Sequence, residues 1–465
     1  MSIHIESMGL PMQTIFAESA LLPGGWANAV RVGIDSDGRI GSVEAGAKAE
    51  PGDTRVDVLL AAPSNVHSHT FQRGMAGLAE RRGPEERDSF WTWRDTMYRF
   101  LDILTPEDVE AIAAMAFMEM QEAGFAAVGE FHYLHHRPGG AEYDDIGELA
   151  MRIAGAAAQT GIGMTLLPVH YRQGGADGRP LAGGQKRFGN TLDRFATLLQ
   201  RSEAIARGLP TDSRVGVAPH SLRAVPLEDL AELVRLRPTT PLHIHAGEQV
   251  PEVDEIMQAH GARPVELLLD RFGVDERWCL IHATQMLAHE TERLAASGAV
   301  AGLCPVTEAN LGDGIFDGAR FLAAQGRIGI GSDSNIRISV NEELRQLEYS
   351  QRLRDRARIV LAGHGQSCGR VLHEAGVAGG AQALGRDSGA IAPGLLADLV
   401  ALSADALEGA TGDNALDFWI FCAGRESVRD VWSAGRHMIR GGAHAERERI
   451  AGRYRWTLES LRGRL

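Results

Sequence analysis

Residues 66–75 have the sequence VHSHTFQRGM and come two residues after an apolar run, VLLAAP, at residues 58–63. The length of this run and its lack of charge predict a buried strand. His67 and His69 come just after it, and residues two apart in an extended chain point to the same side, so both imidazoles can reach one metal ion. An isolated His-x-His pair also fits two histidines held by hydrogen bonds in a loop. The position of further ligands in the fold decides between these interpretations.

Apolar strand-like runs alternate with longer helical patterns from residue 58 to about residue 335. The continuous apolar character of the runs is typical of parallel strands buried on both faces. The strand candidates are VLLAAPSNVHSH, FAAVGEFHY, GMTLLPVHY, RVGVAPHS, PLHIHAGE, WCLIHAT, AVAGLCPVT and RIGIGSDS. This strand–helix alternation predicts an α/β fold, a (β/α)8 TIM-type barrel. A doubly wound open sheet is the alternative, but the sequence has no dinucleotide- or phosphate-binding loop.

Short strand-like segments and glycine turns at both ends of the chain indicate a second, smaller domain. The turn sequence DSDG at residues 35–38 is a hairpin signal between alternating segments. Similar segments return near the other end, as DSGAIAPGLLADLVALSAD and SVRDVWSAGRHMIRGG. We predict that residues 1–57 and 385–465 form a composite β-sandwich domain with a terminal helix. Residues 58–384 would form the barrel.

The composition is ordinary for a soluble globular protein, with 44% hydrophobic and 23% charged residues in a chain of 465. No apolar run approaches the roughly 18 residues that a membrane helix needs, and the first residues lack the pattern of a secretion signal. The net charge of −14 argues against a nucleic-acid partner. The cysteines are widely spaced, which is typical of reduced thiols in the cytoplasm. We therefore expect a cytoplasmic protein without a membrane or nucleic-acid partner.

Polar side chains occur where several predicted strands end, which is where a (β/α)8 barrel places its functional residues. They are His67 and His69 on the first strand, His243, His245 and Glu248 on the fifth, His282 on the sixth and Asp333 on the eighth. A single buried histidine is usually bonded to a backbone carbonyl. A buried carboxylate such as Asp333, by contrast, needs a cation, a metal or several donors. Their occurrence in one ring of strand ends favours a metal site.

Three imidazoles and one carboxylate suit zinc or another divalent transition metal. The expected ligands are His67, His69, Asp333 and one of His243 or His245. The only lysines are at positions 48 and 186, and neither follows a buried strand. A lysine bridging two metal ions is therefore excluded at a strand end, and one ion per chain is expected.

The remaining strand-end residues suit proton transfer around a water molecule whose pKa the metal lowers. Asp333 can accept the proton of this water, and His282 is placed to hold or polarise it. Glu248, three residues after His245, can carry a proton to a leaving group.

This set of residues resembles the amidohydrolase superfamily, in its mononuclear deaminase branch. The branch has H-x-H on strand one, H-x-x-E on strand five, H on strand six and D on strand eight. The matching residues here are His67, His69, His245, Glu248, His282 and Asp333. The resemblance covers nearly the whole chain, including the tail APGLLADLV. It implies that His245 rather than His243 is the ligand, and that the expected ion is zinc.

Several flanking motifs resemble the formimidoylglutamate deiminases within this branch: HSHTFQRGMAGLAE, DSFWTWRDTMYR, EFHYLHH, HSLRAV, EANLGDGIF and GIGSDSN. This resemblance implies hydrolysis of the dianionic N-formimino-L-glutamate to N-formyl-L-glutamate and ammonia, a step of histidine degradation. It also implies that the substrate is bound by Gln72, Arg94, Tyr133, His220 and Arg223. The two arginines support this, because planar guanidinium groups near a barrel mouth suit carboxylates. We further expect a homodimer.

Two other functions use the same residues. A deaminase of a purine or another heterocycle would need stacking aromatics and amide hydrogen bonds rather than two arginines. A non-catalytic metal-binding protein would have no need for Glu248 and His282 beside a complete ligand set. The cluster His132, His135 and His136 predicts local hydrogen bonding, with a second metal as the alternative. The role of Asn335 is left open.

Overall fold

The structure, a computed structural model, describes residues 13–82 and 90–464. Asp88 and Ser89 of the motif DSFWTWRDTMYR, and residues 1–12 of the predicted small domain, lie outside the described residues. The strands are β1 (Gln13–Leu22), β2 (Gly25–Ile34), β3 (Ile40–Glu44), β4 (Thr54–Ala61), β5 (Ser64–Ser68), β6 (Ala127–His132), β7 (Gly163–His170), β8 (Arg214–Val215), β9 (Ala218–Pro219), β10 (Leu242–Ala246), β11 (Trp278–His282), β12 (Val300–Leu303), β13 (Arg327–Ile330), β14 (Leu399–Leu402), β15 (Val428–Ser433), β16 (Arg436–Arg440) and β17 (Ala443–His444).

Helices follow most of the barrel strands. They are α1 (Phe90–Leu101), α2 (Pro106–Glu122), α3 (Glu148–Thr160), α4 (Leu192–Ala206), α5 (Leu227–Leu236), α6 (Val250–His260), α7 (Pro264–Arg271), α8 (Ala288–Ala296), α9 (Pro305–Leu311), α10 (Gly318–Ala323), α11 (Val340–Asp355), α12 (Cys368–Leu384), α13 (Asp413–Phe421) and α14 (Arg447–Arg462). Within the described ranges, none of these helices is both long and apolar enough to cross a bilayer.

The larger sheet is parallel and has the order β10-β11-β12-β13-β5-β6-β7-β8, with β9 paired to β7. Two parallel bridges, Val217–Leu242 and Ser221–His245, join the β8–β9 region to β10 and close the sheet on itself. The fourth predicted strand, RVGVAPHS, is thus divided into the short strands β8 and β9. With these two strands taken as one position, the (β/α)8 barrel predicted from the sequence is confirmed.

The first barrel strand begins later than the sequence pattern indicates. The predicted strand from residue 58 is wrong in its first half, because residues 58–61 belong to β4 of the small sheet, where β4 lies between β1 and β14. Only two residues, Ala62 and Pro63, separate β4 from β5. The apolar run at residues 58–63 belongs to β4 and this linker and lies directly before β5, so the pattern gives no sign of the change of sheet.

The smaller sheet has the order β17-β16-β15-β14-β4-β1-β2-β3 and is mixed. It takes strands from both ends of the chain, which confirms the prediction of a small β domain completed by both termini. Its strands form one continuous sheet, and α14 follows the last of them. The division of the chain after residues 57 and 384 stays a prediction.

A buried network of ion pairs links the small sheet to the barrel. Arg386, just after α12, contacts Asp398 at 3.0 Å and Asp212 at 3.2 Å. Arg436 of the small sheet reaches the same Asp212 at 2.7 Å. The side chains of Arg386 and Asp398 are fully buried. These charges are therefore tolerated only because each one is paired.

The ends of β13 and β5 approach each other closely beneath the barrel mouth. A Cβ at Gly331 would lie 2.8 Å from the backbone nitrogen of His67, so this position admits only glycine without a shift. The backbone of Asp333 donates to the carbonyl of His67 at 2.9 Å, and His69 donates to the carbonyl of Asp333 at 3.0 Å. The segments that carry these three side chains are thereby held side by side.

Candidate active site

A cavity opens at the carboxyl ends of the barrel strands. Its lining includes every site residue predicted from the sequence except His67, which is fully buried beneath it. The lining residues are His69, Gln72, Trp93, Arg94, Met97, Tyr98, Tyr133, Tyr171, Phe188, His220, Arg223, His245, Glu248, His282, Leu311 and Asp333. The structure therefore brings the predicted polar residues together around one space.

Three histidines and one aspartate converge at the floor of this cavity. The Nε2 atoms of His67 and His245 lie 3.1 Å apart. Asp333 Oδ1 lies 3.5 Å from Nε2 of His67 and 3.3 Å from Nε2 of His69. Nitrogen and carboxylate donors at such separations could hold a single divalent metal ion.

The hydrogen bonds behind two of these imidazoles fix their orientation. His69 Nδ1 lies 3.0 Å from the carbonyl oxygen of Phe131, and His245 Nδ1 lies 2.9 Å from that of His220. A carbonyl only accepts, so each Nδ1 carries the proton and each Nε2 presents its lone pair to the cluster. Burial lowers the pKa of His67 and His245 well below the usual value, which keeps the rings neutral. The donor set therefore fits a divalent metal of the zinc type.

The two histidines of β10, two residues apart on the strand, contact different parts of the barrel. His243 Nε2 contacts the carbonyl of Ala383 in α12 at 2.7 Å, and burial lowers the pKa of His243 to about 4. His245 faces the cavity. The strand pattern allowed either His243 or His245 as a metal ligand, and only His245 lies within reach of the cluster.

His282 and Glu248 lie next to Asp333 above the cluster. His282 Nε2 is 3.8 Å from Glu248 Oε1 and 3.8 Å from Asp333 Oδ2. Burial raises the pKa of Glu248 to about 7. Burial alone would lower the pKa of His282, but the carboxylates around it raise it well above the usual value. The group can thus exchange protons near neutral pH.

Backbone strain is stored at the same strand ends. His282 has φ 70° and Asp333 has φ 44°, which is the left-handed region that L residues rarely adopt. Such conformations cost roughly 1–3 kcal/mol each and persist where the surroundings enforce them. Both side chains are directed to the cavity in this way.

Sequence reasoning missed Glu308, which lies behind His282. Its Oε1 is 3.2 Å from His282 Nδ1 and accepts from the backbone N–H of Cys304 at 2.8 Å. Glu308 is buried, in the first turn of α9 after β12. Its position in the motif EANLGDGIF, directly after a predicted strand, was the available signal.

The predicted substrate-binding residues all line the cavity. Gln72 donates to the hydroxyl of Tyr133 at 2.8 Å, and the Tyr133 ring lies 4.7 Å from the ring of His69. The guanidinium of Arg94 lies over the Tyr98 ring at 5.5 Å. Arg94 and Arg223 both line the cavity, so two positive charges face a space whose floor holds the imidazole cluster.

Hydrogen bonds to backbone carbonyls hold two of the three histidines of the second cluster, whereas His132 Nε2 is buried without a hydrogen-bond partner among the described residues. His135 Nε2 lies 2.9 Å from the Val169 carbonyl, and His136 Nε2 lies 2.8 Å from the Gly189 carbonyl. Among residues 13–82 and 90–464, these histidines belong to no group of donors close enough to share a metal.

Asn335, whose role the sequence left open, belongs to a buried hydrogen-bond network. It donates to Ser68 Oγ at 3.1 Å and to the Asp333 carbonyl at 3.0 Å, and it accepts from Ser332 Oγ at 2.6 Å. Asn65 donates to the same Ser332 hydroxyl at 2.6 Å. This network ties β5 to the end of β13 and so supports the segments that carry the imidazole cluster.

Comparison with known proteins agrees with the family resemblance seen in the sequence. Residues 58–438 match the Amidohydrolase family, and residues 12–57 match the N-terminal domain of formimidoylglutamate deiminase HutF. The chain is 48% identical to the formimidoylglutamate deiminase of Pseudomonas aeruginosa, over 95% of this chain and 97% of that protein. It is 29% identical to the 8-oxoguanine deaminase of the same species, over 84% of each chain.

Two solved structures have the same overall fold. An amidohydrolase from Brucella melitensis superimposes with a TM-score of 0.93 and 50% identity, over 97% of this chain and 99% of that one. An adenosine deaminase from Xanthomonas campestris with bound zinc has a TM-score of 0.81 and 22% identity, over 98% of this chain and all of the other. The closed barrel, the imidazole–carboxylate cluster at its mouth and these matches together show that the chain belongs to the amidohydrolase family.

Proposed function

We propose that this protein is a formimidoylglutamate deiminase, which hydrolyses N-formimino-L-glutamate to N-formyl-L-glutamate and ammonia in histidine degradation. One observation carries the proposal: a single cavity has metal-binding donors and proton carriers at its floor, and two arginines in its lining. The substrate has a formimino head and two carboxylates, which match these two features. The 48% identity to the Pseudomonas enzyme and the match of residues 12–57 support the same reaction.

We infer that His67, His69, His245 and Asp333 hold one divalent ion, with zinc as the expected metal. The converging Nε2 atoms and the neutral state of the rings support this set. When bound, such an ion lowers the pKa of a water molecule and supplies a nucleophile near neutral pH.

Asp333 and His282 orient the attacking water and handle its proton. The Nε2 atom of His282 lies 3.8 Å from Oδ2 of Asp333. Addition of water to the imino carbon makes this carbon tetrahedral, and the terminal nitrogen must gain a proton before it leaves as ammonia. Glu248, whose pKa is raised to about 7, is the carboxyl group that delivers this proton.

Arg94 and Arg223 bind the carboxylates of the glutamate portion. In a chain with a net charge of −14, a dianion needs local positive charge, and a guanidinium group can form two parallel hydrogen bonds to one carboxylate. Gln72, Tyr133 and His220 line the same cavity, and they position the substrate chain. The imino carbon then faces the water.

Deamination of a purine is the second candidate, favoured by the aromatic rings in the cavity lining and by the similarity to 8-oxoguanine deaminase. The test is ammonia release from N-formimino-L-glutamate, guanine, 8-oxoguanine, adenosine and cytosine by the metal-loaded enzyme. We expect kcat/KM to be highest for N-formimino-L-glutamate. Faster turnover of any heterocycle would overturn the substrate assignment. The cytoplasmic location and the homodimer stay predictions.

A further inference from the structure

The turn that carries Glu248 connects β10 to α6 and is held on both sides of its backbone. Gly247 has φ 65°, a conformation that favours glycine. A turn of this kind has no internal ladder of hydrogen bonds to keep its place. The position of the Glu248 carboxylate therefore depends on what the neighbouring elements supply.

On the N–H side, the buried carboxylate of Glu252 accepts two backbone donors. Glu252 Oε2 accepts from Glu248 N–H at 2.9 Å, and Oε1 accepts from Gly247 N–H at 3.3 Å. Glu252 is only 1% exposed. A glutamate in the first helical turn commonly reaches back to the N-cap N–H, which here belongs to Gln249. Glu252 instead reaches further back, to the residue that carries the acid–base carboxylate.

On the carbonyl side, the segment after β11 supplies the donors. Thr284 Oγ1 lies 2.7 Å from the carbonyl oxygen of Glu248 and 3.1 Å from that of Gly247. The backbone N–H of Gln285 donates to the Gly247 carbonyl at 2.7 Å. Thr284 and Gln285 come two and three residues after His282. The same segment therefore carries His282 and holds the backbone of Glu248.

We propose that Glu252 and Thr284 are positioning residues that clamp the Glu248 backbone from opposite sides and set where its carboxyl group meets the leaving nitrogen. This inference rests on the proposed function of Glu248 as the proton carrier. Neither residue lines the cavity. Displacement of a reacting group by about 1 Å can cost up to about 10²-fold in rate, so a clamp of this kind acts on kcat.

The test uses Thr284→Val, which keeps the shape but removes the hydroxyl donor, and Thr284→Ser, which restores it. Glu252→Gln removes the charge and one of the two acceptor oxygens. Thr291→Val and Glu290→Gln are matched controls. Thr291 is a buried threonine bonded to the Leu287 carbonyl, and Glu290 is a buried glutamate that accepts from the Leu287 N–H at 2.7 Å.

Two quantities are measured on the metal-loaded enzyme. Hydrogen exchange of the peptide covering residues 246–250, followed by mass spectrometry without substrate, should be faster in Thr284→Val and Glu252→Gln than in the wild type. Their kcat should fall roughly 10- to 100-fold, with about one metal ion per chain retained. KM in Thr284→Val should stay within about twofold of the wild type. Thr284→Ser and both controls should keep the wild-type kcat and the slow exchange of this peptide.

Unchanged exchange in both variants would overturn the clamp, because the backbone would then be held by other contacts. Faster exchange with an unchanged kcat would also overturn it, because the two residues would then only stabilise the turn. Failure of the wild type to release ammonia from N-formimino-L-glutamate would instead overturn the proposed function. The exchange experiment needs no substrate and separates these results.

Discussion

The Nε2 atoms of His67 and His245 lie 3.1 Å apart at the floor of the cavity, and among the described residues a hydrogen-bond acceptor lies behind only one of the two rings. His245 Nδ1 is bonded to the His220 carbonyl, whereas His67 Nδ1 has no hydrogen-bond partner within the described part of the chain. Two neutral imidazole nitrogens that face each other at this distance share at most one proton. A cation bound between them and Asp333 satisfies both lone pairs, and this relationship motivates the first prediction.

His69→Ala and Asp333→Ala should each lower the metal content from about one ion per chain to nearly none, because each removes one of four side-chain donors. Elemental analysis after dialysis against a weak chelator measures this loss. His135→Gln is the matched control, since His135 is a buried histidine bonded to a backbone carbonyl outside the cluster. Two ions per wild-type chain, or full retention in His69→Ala, would contradict the proposed ligand set.

Glu248→Gln should retain the metal and lose kcat by roughly 10²- to 10⁴-fold, the usual contribution of a positioned acid or base. The amide has the shape of the carboxyl group but cannot deliver a proton. Steady-state ammonia release and metal analysis on the same preparation measure both quantities. A kcat near the wild-type value would mean that another group protonates the leaving nitrogen.

His282→Asn should also retain the metal and lose kcat, because Nε2 of this ring faces both Glu248 and Asp333. Glu308→Gln should show a smaller loss, since an amide oxygen can still accept from His282 Nδ1 but carries no charge to stabilise a protonated ring. The order of the two losses is the measured outcome. A larger effect at Glu308 than at His282 would assign the principal role to Glu308.

Arg94→Met and Arg223→Met should each lower kcat/KM. The loss should correspond to about 1.5–3 kcal/mol of transition-state stabilisation, the value of a charged hydrogen bond. Substrate analogues that lack one carboxylate should lose a similar amount with the wild type. They should lose little more with the variant that already lacks the matching arginine. If each variant lost the same factor in kcat/KM, relative to the wild type, with the dianion and with both analogues, the arginines would not bind the carboxylates.

Arg386→Met should lower the free energy of unfolding by about 3–5 kcal/mol, because it leaves Asp398 and Asp212 buried without this partner. Denaturation with urea, followed by fluorescence, measures the change. Arg39→Met is the control, since Arg39 pairs with Asp387 on the surface and such pairs contribute little. Equal losses in the two variants would show that burial does not control the contribution of this network.

The ends of the barrel strands were predictable from sequence because two regular features locate them. Continuous apolar runs mark buried parallel strands, and polar residues that interrupt such a run mark the strand ends. His67, His69, His282 and Asp333 were located in this way, and the structure places them together. His243 and His245 could not be separated by the pattern alone, because both are buried on the same strand and only their contacts in the fold distinguish them: His243 bonds to the Ala383 carbonyl and His245 lines the cavity.

The residues that sequence reasoning missed act across elements rather than along them. Glu308 reaches His282 from the neighbouring strand–helix unit, and Glu252 reaches backwards from α6 to the Glu248 turn. No periodicity relates Glu308 to His282, and the spacing of four residues between Glu248 and Glu252 does not by itself show that the Glu252 side chain reaches back to the turn. The boundary between β4 and β5 was also beyond the pattern, since a change of sheet at Ala62 and Pro63 leaves the apolar run unbroken.

The identity of the products tests the proposed reaction most directly. The metal-loaded protein is incubated with N-formimino-L-glutamate, and the products are separated and quantified by mass spectrometry together with an ammonia assay. Protonation of the terminal nitrogen by Glu248 predicts N-formyl-L-glutamate and ammonia in equal amounts. The Glu248→Gln variant should form both products much more slowly than the wild type. Release of L-glutamate and formamide would mean that the other carbon–nitrogen bond breaks, and would contradict the proposed deamination.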